Sequence, residues 1–156
     1  MNKIGVFYGS TTGTTEDVAH RIAEKLNDEL VKEYDVLVLG TSTWGAGELQ
    51  DDWYDGIKVL KKADLSHKFV ALFGCGDSDS YSDTFCDGIG ILYEELKDTH
   101  CTFCGATDPS GYTFDSSVAV INGKFVGLPL DEVNEDGKTD ERIAQWTEAL
   151  KKECIN

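Results

Sequence analysis

The sequence predicts an α/β fold around a mostly parallel sheet, and three observations carry that prediction. Apolar runs rich in β-branched and aromatic residues alternate with stretches whose apolar residues recur at helical spacing. The run Asp35-Val36-Leu37-Val38-Leu39-Gly40 is apolar almost throughout, as a strand covered on both faces should be. Three loops of small and polar residues each follow a strand, which places them together beyond the carboxyl ends of the sheet, where such folds bind ligands.

Ile4 to Tyr8 reads as the first strand. Gly9 and Gly13 let the following loop turn tightly, and Ser10, Thr11, Thr12, Thr14 and Thr15 crowd it with hydroxyls. Thr14, with Asp17 three residues on, reads as the N-cap of a helix whose apolar residues are Val18, Ala19, Ile22, Ala23 and Leu26. A strand, a loop of N–H donors and a helix N-terminus make an anion site, most often for phosphate. The loop is not a Walker A, since no Lys or Arg lies between Gly9 and His20, and it is not a Gly-x-Gly-x-x-Gly. Neutral donors and the helix dipole would hold the phosphate. The plainer reading of this loop alone is a polar turn that caps a helix.

Residues 27–34 form a short polar connection to the strand at 35–40. The loop Thr41 to Gly47 follows, then a helix marked by Leu49, Trp53, Ile57 and Leu60. Residues 68–73 form a third strand, 74–81 a third loop, and Phe85, Ile89, Leu92 and Leu96 a third helix. The last sheet strand begins over 101–106. Residues 105–130 read as an insertion whose Asn122-Gly123, between Val118–Ile121 and Lys124–Val126, is a strong hairpin signal. Ile143, Trp146 and Leu150 stripe the final helix, entered through Thr139-Asp140.

The 156 residues suit a single domain over 1–156 with a substantial core. No apolar run is long enough to span a membrane, and a strand at the very N-terminus argues against a signal peptide. The net charge of −15 argues against nucleic acid and anionic membranes, which need a basic face, and favours docking on basic proteins; the alternative is that the acidity only aids solubility. The five cysteines are unevenly spaced, which is no disulfide framework and fits a reducing cytoplasm. Cys101-x-x-Cys104 lies in a strand, where residues three apart face opposite sides, and no second pair accompanies it, so no metal site is expected. His20, His67 and His100 are scattered and carry no acid–base role.

Trp44 sits on the second rim loop and Tyr81 on the third. Two aromatics beside a phosphate loop fit a planar ligand stacked between them, such as a nucleotide or flavin mononucleotide (FMN). The alternative is that each ring packs against a helix. Three stretches together resemble flavodoxin: Gly9 through Glu16; Thr43 through Trp53; and Phe73 through Asp77 with Tyr81, Asp83 and Phe85. The segments Asn122 to Leu128 and Asp140-Arg142-Ile143-Trp146 resemble the long-chain branch, whose last strand carries an insertion.

The resemblance implies an FMN-containing, low-potential one-electron carrier rather than an enzyme, with reductases and oxidases as basic partners. It assigns Ser10, Thr11, Thr12, Gly13, Thr14 and Thr15 to the phosphate. Thr43, Trp44, Gly45, Ala46 and Gly47 would lie along one side of the ring system, with the Gly45 peptide turning its carbonyl toward flavin N5. Tyr81, with Asp83 near it in the chain, would flank the other side, and Cys75, Gly76 and Asp77 would supply contacts to the pyrimidine edge. The alternatives are an FMN-dependent quinone or NAD(P)H oxidoreductase, for which no extra loop is present, and a relative that has lost its flavin. A phospho-acceptor domain lacks its acidic cluster at Tyr8-Gly9 and Gly40-Thr41.

One interval departs from the family. Between the first helix and Val36 a flavodoxin carries a whole strand and its return connection, so by resemblance about twenty residues are absent. The expected fold is thus a flavodoxin-like three-layer sandwich with the sheet reduced to four strands, in family order 1-3-4-5. The first strand becomes an edge, open to homo-oligomer formation. If the first helix keeps its usual face, its crossover is left-handed, which is rare.

Overall fold

The computed structural model describes residues 4–9, 14–26, 34–44, 48–49, 52–62 and 65–155. In chain order its elements are β1 (Ile4–Tyr8), α1 (Thr14–Leu26), β2 (Val36–Trp44), β3 (Glu48–Leu49), α2 (Asp52–Lys62), β4 (Phe69–Cys75), α3 (Asp87–Leu96), β5 (Thr102–Cys104), β6 (Val120–Ile121), β7 (Lys124–Phe125), β8 (Leu128–Leu130) and α4 (Asp136–Leu150). The sheet runs β1-β2-β4-β5, all parallel. β8 also pairs parallel with β4, further along it, so β5 and β8 are two pieces of one last strand. Four strand positions are therefore filled among the described residues, as the sequence predicts.

Each face of the sheet buries its own cluster. Val18, Ala19 and Ile22 of α1 and Ile143, Trp146 and Leu150 of α4 pack with Val36, Val38, Ala71 and Phe73 on one face. Trp53 and Ile57 of α2 and Ile89, Leu92 and Leu96 of α3 pack with Leu37, Leu39, Val70 and Leu72 on the other. Successive residues of β2 and β4 thus feed opposite cores, which is why both read as continuous apolar runs. Trp53 adds a polar anchor, its Nε1 donating to Gly40 O at 2.8 Å.

This layering decides the handedness. The connections β1-α1-β2 and β2-α2-β4 advance across the sheet in the same direction, between parallel neighbours, with helices on opposite faces. They therefore have opposite hands. The connection through α3 uses the same face as the one through α2. Right-handed crossovers make up about 98% of such units, so the odd one, through α1, is the left-handed one. Packing against Ile143 and Trp146 holds α1 there, and Arg21 pairs with Glu132 and, at 3.8 Å, with Asp140.

Several boundaries differ from the sequence reading. Leu49 belongs to β3, which pairs antiparallel with the end of β2, rather than to the helix that follows. Thr14 is the first residue of α1, so the cap position before it falls outside the described residues. The last helix starts at Asp136, and Thr139 lies within it, buried, donating to Glu132 Oε2 at 3.0 Å. The insertion ends before Leu128, because β8 returns to the sheet. The strand breaks opposite Leu72, where a Cβ on Gly127 would stand 2.3 Å from Leu72 O. The hairpin forms as read, β6 against β7, with Asn122 and Gly123 at φ 54° and 82°. The connection at 27–33 lies outside the described residues.

Candidate functional site

The carboxyl ends of β2, β4 and β8 and the first turn of α1 surround a cleft of about 170 Å³. Thr14, Ser42, Thr43, Cys75, Gly76, Asp77, Tyr81, Thr84, Cys86, Glu132 and Val133 line it. All three rim loops foreseen in the sequence therefore have a described residue at or beside the same opening. Of the site residues expected, Thr14, Thr43, Cys75, Gly76, Asp77 and Tyr81 meet here. Thr15 is buried one residue further into α1. The Asp83 side chain is exposed and does not line the cleft. Ser10, Thr11, Thr12, Gly13, Gly45, Ala46, Gly47 and the Trp44 side chain lie outside the described residues.

Two buried hydroxyls stand out. Thr15 Oγ1 and Thr84 Oγ1 have no well-formed hydrogen bond among the described residues. Thr15 does act on the Cys75 thiol, whose pKa burial raises, as a hydrogen-bonding neighbour that lowers it. A buried polar group without a partner costs free energy, and a bound acceptor removes that cost. Thr15 stands in the first turn of α1, where unsatisfied N–H groups and the helix dipole favour an anion. These features fit a phosphate-bearing ligand. Thr43 is partly committed elsewhere, because its Oγ1 accepts from Gly88 N at 2.9 Å and ties β2 to the start of α3.

Burial raises the Cys75 thiol to about 12, so it presents a neutral S–H to the cleft. Tyr81 is 48% exposed, its ring available to a planar partner. The Asp77 carboxylate accepts from Ser80 N at 3.0 Å, Asp79 N at 3.1 Å and Asn134 Nδ2 at 2.8 Å. These bonds, Ser80's backbone first, hold its pKa below the usual carboxylate range.

The loop at 76–81 is fastened from behind by a residue the sequence reading missed. Asp131, fully buried just after β8, accepts at Oδ2 from Ser78 N (3.0 Å), Ser78 Oγ and Asn134 Nδ2 (3.0 Å). At Oδ1 it accepts from Val133 N (3.1 Å) and Asn134 N (2.9 Å). Burial works against the charge, but these donors outweigh it and its pKa is lowered. Gly76 N adds a bond to Leu130 O at 2.9 Å. The available signal was Asp131-x-x-Asn134, a turn-forming pair between a strand and a helix. Ser42, Thr84, Cys86, Glu132 and Val133 were also missed as cleft residues.

No group of three or more His, Cys, Asp or Glu able to hold a metal occurs among the described residues. None of their helices is long and apolar enough to cross a membrane.

Helices on both faces of a parallel sheet, α1 on one and α2 and α3 on the other, with a cleft at the carboxyl rim beside a helix N-terminus, define an α/β protein suited to a phosphate-bearing ligand. The family model for flavodoxin matches residues 6–146, and the chain belongs to the flavodoxin family. It is 42% identical to flavodoxin 1 of Azotobacter vinelandii over 172 residues, covering 99% of both chains. That alignment is longer than the 156 residues present here, so the relative carries positions this chain lacks. It is also 42% identical to a Nostoc flavodoxin over 164 residues, covering 97% of this chain and 96% of the relative. Among solved structures, Fusobacterium nucleatum flavodoxin bound to flavin mononucleotide superposes with a TM-score of 0.92 at 34% identity, over 99% of each chain. The two chains are thus of nearly equal extent.

Proposed function

We propose that this chain is an FMN-containing one-electron carrier, the whole of it acting as one cofactor-binding domain. The observation that carries the reading is the near-complete superposition on a flavodoxin solved with FMN. The cleft at the carboxyl rim of the sheet and the buried hydroxyls of Thr15 and Thr84, which have no well-formed hydrogen bond among the described residues, support it. Flavodoxins are electron-transfer proteins, and this chain has relatives of that name along its whole length.

FMN supplies the one-electron chemistry when bound, and the chain's own residues hold and tune it. Thr14 and Thr15, with Ser10, Thr11, Thr12 and Gly13 ahead of them, hold the phosphate on the N-terminus of α1 without a cation. Trp44, on the loop that also carries Thr43, Gly45, Ala46 and Gly47, would flank one side of the ring system and Tyr81 the other, with Cys75, Gly76 and Asp77 contacting its pyrimidine edge. With 29 Asp and Glu against 14 Lys and Arg, the protein disfavours further negative charge in the cleft, which makes the reduced carrier a strong donor. Its partners are redox proteins with basic docking faces, and its setting is the cytoplasm.

Titrating apoprotein with FMN tests this reading. Stoichiometric quenching of flavin fluorescence, with no steady oxidation of NAD(P)H by the holoprotein alone, is the expected result. Absence of quenching overturns the cofactor, and steady turnover of NAD(P)H overturns the carrier.

A further inference from the structure

Cys104 closes β5 at the point where the last strand is interrupted, and Cys154 lies in the π-type turn Lys151–Ile155 after α4. Their sulfurs are 2.9 Å apart, the Cys104 thiol donating to Cys154. We propose that these two residues are an oxidation site, a thiol pair that closes to an intramolecular disulfide when a peroxide reaches it.

The other thiols are directed elsewhere. Cys101 Sγ donates to Leu96 O at 3.8 Å, and Cys86 Sγ faces Gly74 O and Leu130 O at 3.7 and 3.8 Å. Cys75 faces the ligand cleft. Cys104 Sγ also lies 3.8 Å from Val70 O, but among the described residues only Cys104 and Cys154 share a sulfur–sulfur hydrogen bond. A disulfide needs about 2.05 Å between sulfurs, so closure asks for a shift of under about 1 Å. The backbone around the pair is already fixed. Gly105 N donates to Glu153 Oε2 at 2.8 Å, and Trp146 Nε1 donates to Gly105 O at 2.8 Å. Cys154 and Trp146 belong to one buried cluster, and the half-buried Cys104 packs against it. Donation from Cys104 lowers the pKa of Cys154 and raises that of Cys104 itself, which makes Cys154 the better nucleophile of the two.

The step balances. Two S–H bonds are replaced by one S–S bond, and two electrons and two protons pass to hydrogen peroxide, whose O–O bond breaks to leave two waters. The residues joined are 50 apart in sequence, so the bridge shrinks the unfolded ensemble and pins the turn after α4 to the end of β5.

The test treats the purified holoprotein with hydrogen peroxide in slight excess, alkylates remaining thiols and maps peptides without reduction. The expected product is a linked Cys104–Cys154 peptide pair that dithiothreitol removes, with a melting temperature raised by about 5 °C or more over the reduced protein. C104S and C154S should each abolish both the linked pair and the rise. The proposal is overturned if Cys104 and Cys154 stay alkylatable while Cys101 is oxidised. It is equally overturned if either becomes a sulfinic acid without the linked pair, or if a different pairing dominates.

Discussion

Asp131 shows how much a rim loop depends on a residue that never faces the ligand. Five hydrogen bonds converge on its carboxylate, from Ser78, Val133 and Asn134, and Asn134 passes the restraint to Asp77. In Asp131→Asn one accepting oxygen becomes an N–H₂ that faces donors. Unfolding in urea should show a loss of about 2–3 kcal/mol, in the range for hydrogen bonds to a charged group. FMN affinity should fall as well, because residues 76–81 lose their backing. The pH dependence has a definite sign. A carboxylate whose folded pKa is depressed contributes stability that is full above its unfolded value and lost as pH falls through the folded one. The gap between wild type and variant should therefore hold at pH 5–7 and narrow below about pH 4. Beyond the turn-forming pair Asp131-x-x-Asn134, none of this was visible in the chain beforehand. The hydroxyls of the first loop and Tyr81 announce themselves by residue type, but Asp131 reads as one more acid in an acidic protein, and its role exists only once β8 lies beside β4.

The elements themselves were largely legible, because burial on two faces writes apolar runs into β2 and β4 and helical stripes into α1, α3 and α4. What escaped was set by contacts distant in sequence. Leu49 fits the helical spacing of Trp53 and Ile57, yet it pairs with Thr43, a choice made by the end of β2. Leu128 to Leu130 looked like the tail of an insertion because the strand they complete begins at Thr102. Close approach also hides in glycines, and two helical ones make a test. A Cβ on Gly90 of α3 would stand 2.5 Å from Val118 O and 2.8 Å from Ala119 N, backbone atoms that cannot swing aside, whereas one on Gly137 of α4 meets nothing within 4 Å. Gly90→Ala should lower stability by about 1–3 kcal/mol in spite of the better helix former. Gly137→Ala should raise it by up to about 0.5 kcal/mol, less than the full propensity gain because it lies in the first turn. Chemical denaturation of the two variants side by side checks the opposition. Equal effects would mean that α3 does not rest on the 118–119 backbone.

At the scale of the whole molecule the dominant fact is a net charge of −15. Many of its few cations are spent locally: Arg21, Lys61, Lys97, Lys138, Arg142 and Lys151 each lie within salt-bridge distance of an acid. The field reaching solvent is therefore acidic and repels itself, so screening should stabilise the fold. Between about 10 mM and 500 mM sodium chloride, where the Debye length falls from about 30 Å to a few ångströms, the urea midpoint should rise. The same field bears on β1, which has a partner on one side only among the described residues and leaves Phe7 41% and Tyr8 39% exposed. Such an edge invites a second copy, but two copies bring like charge together. We infer that the edge is kept apart by electrostatics in dilute salt and that any homo-oligomer is salt-promoted. Sedimentation across the same salt series should give a monomer at the low end and a rising dimer fraction toward the high end. A dimer already complete at 10 mM salt would show that the edge is closed by a fitted interface strong enough to override the charge.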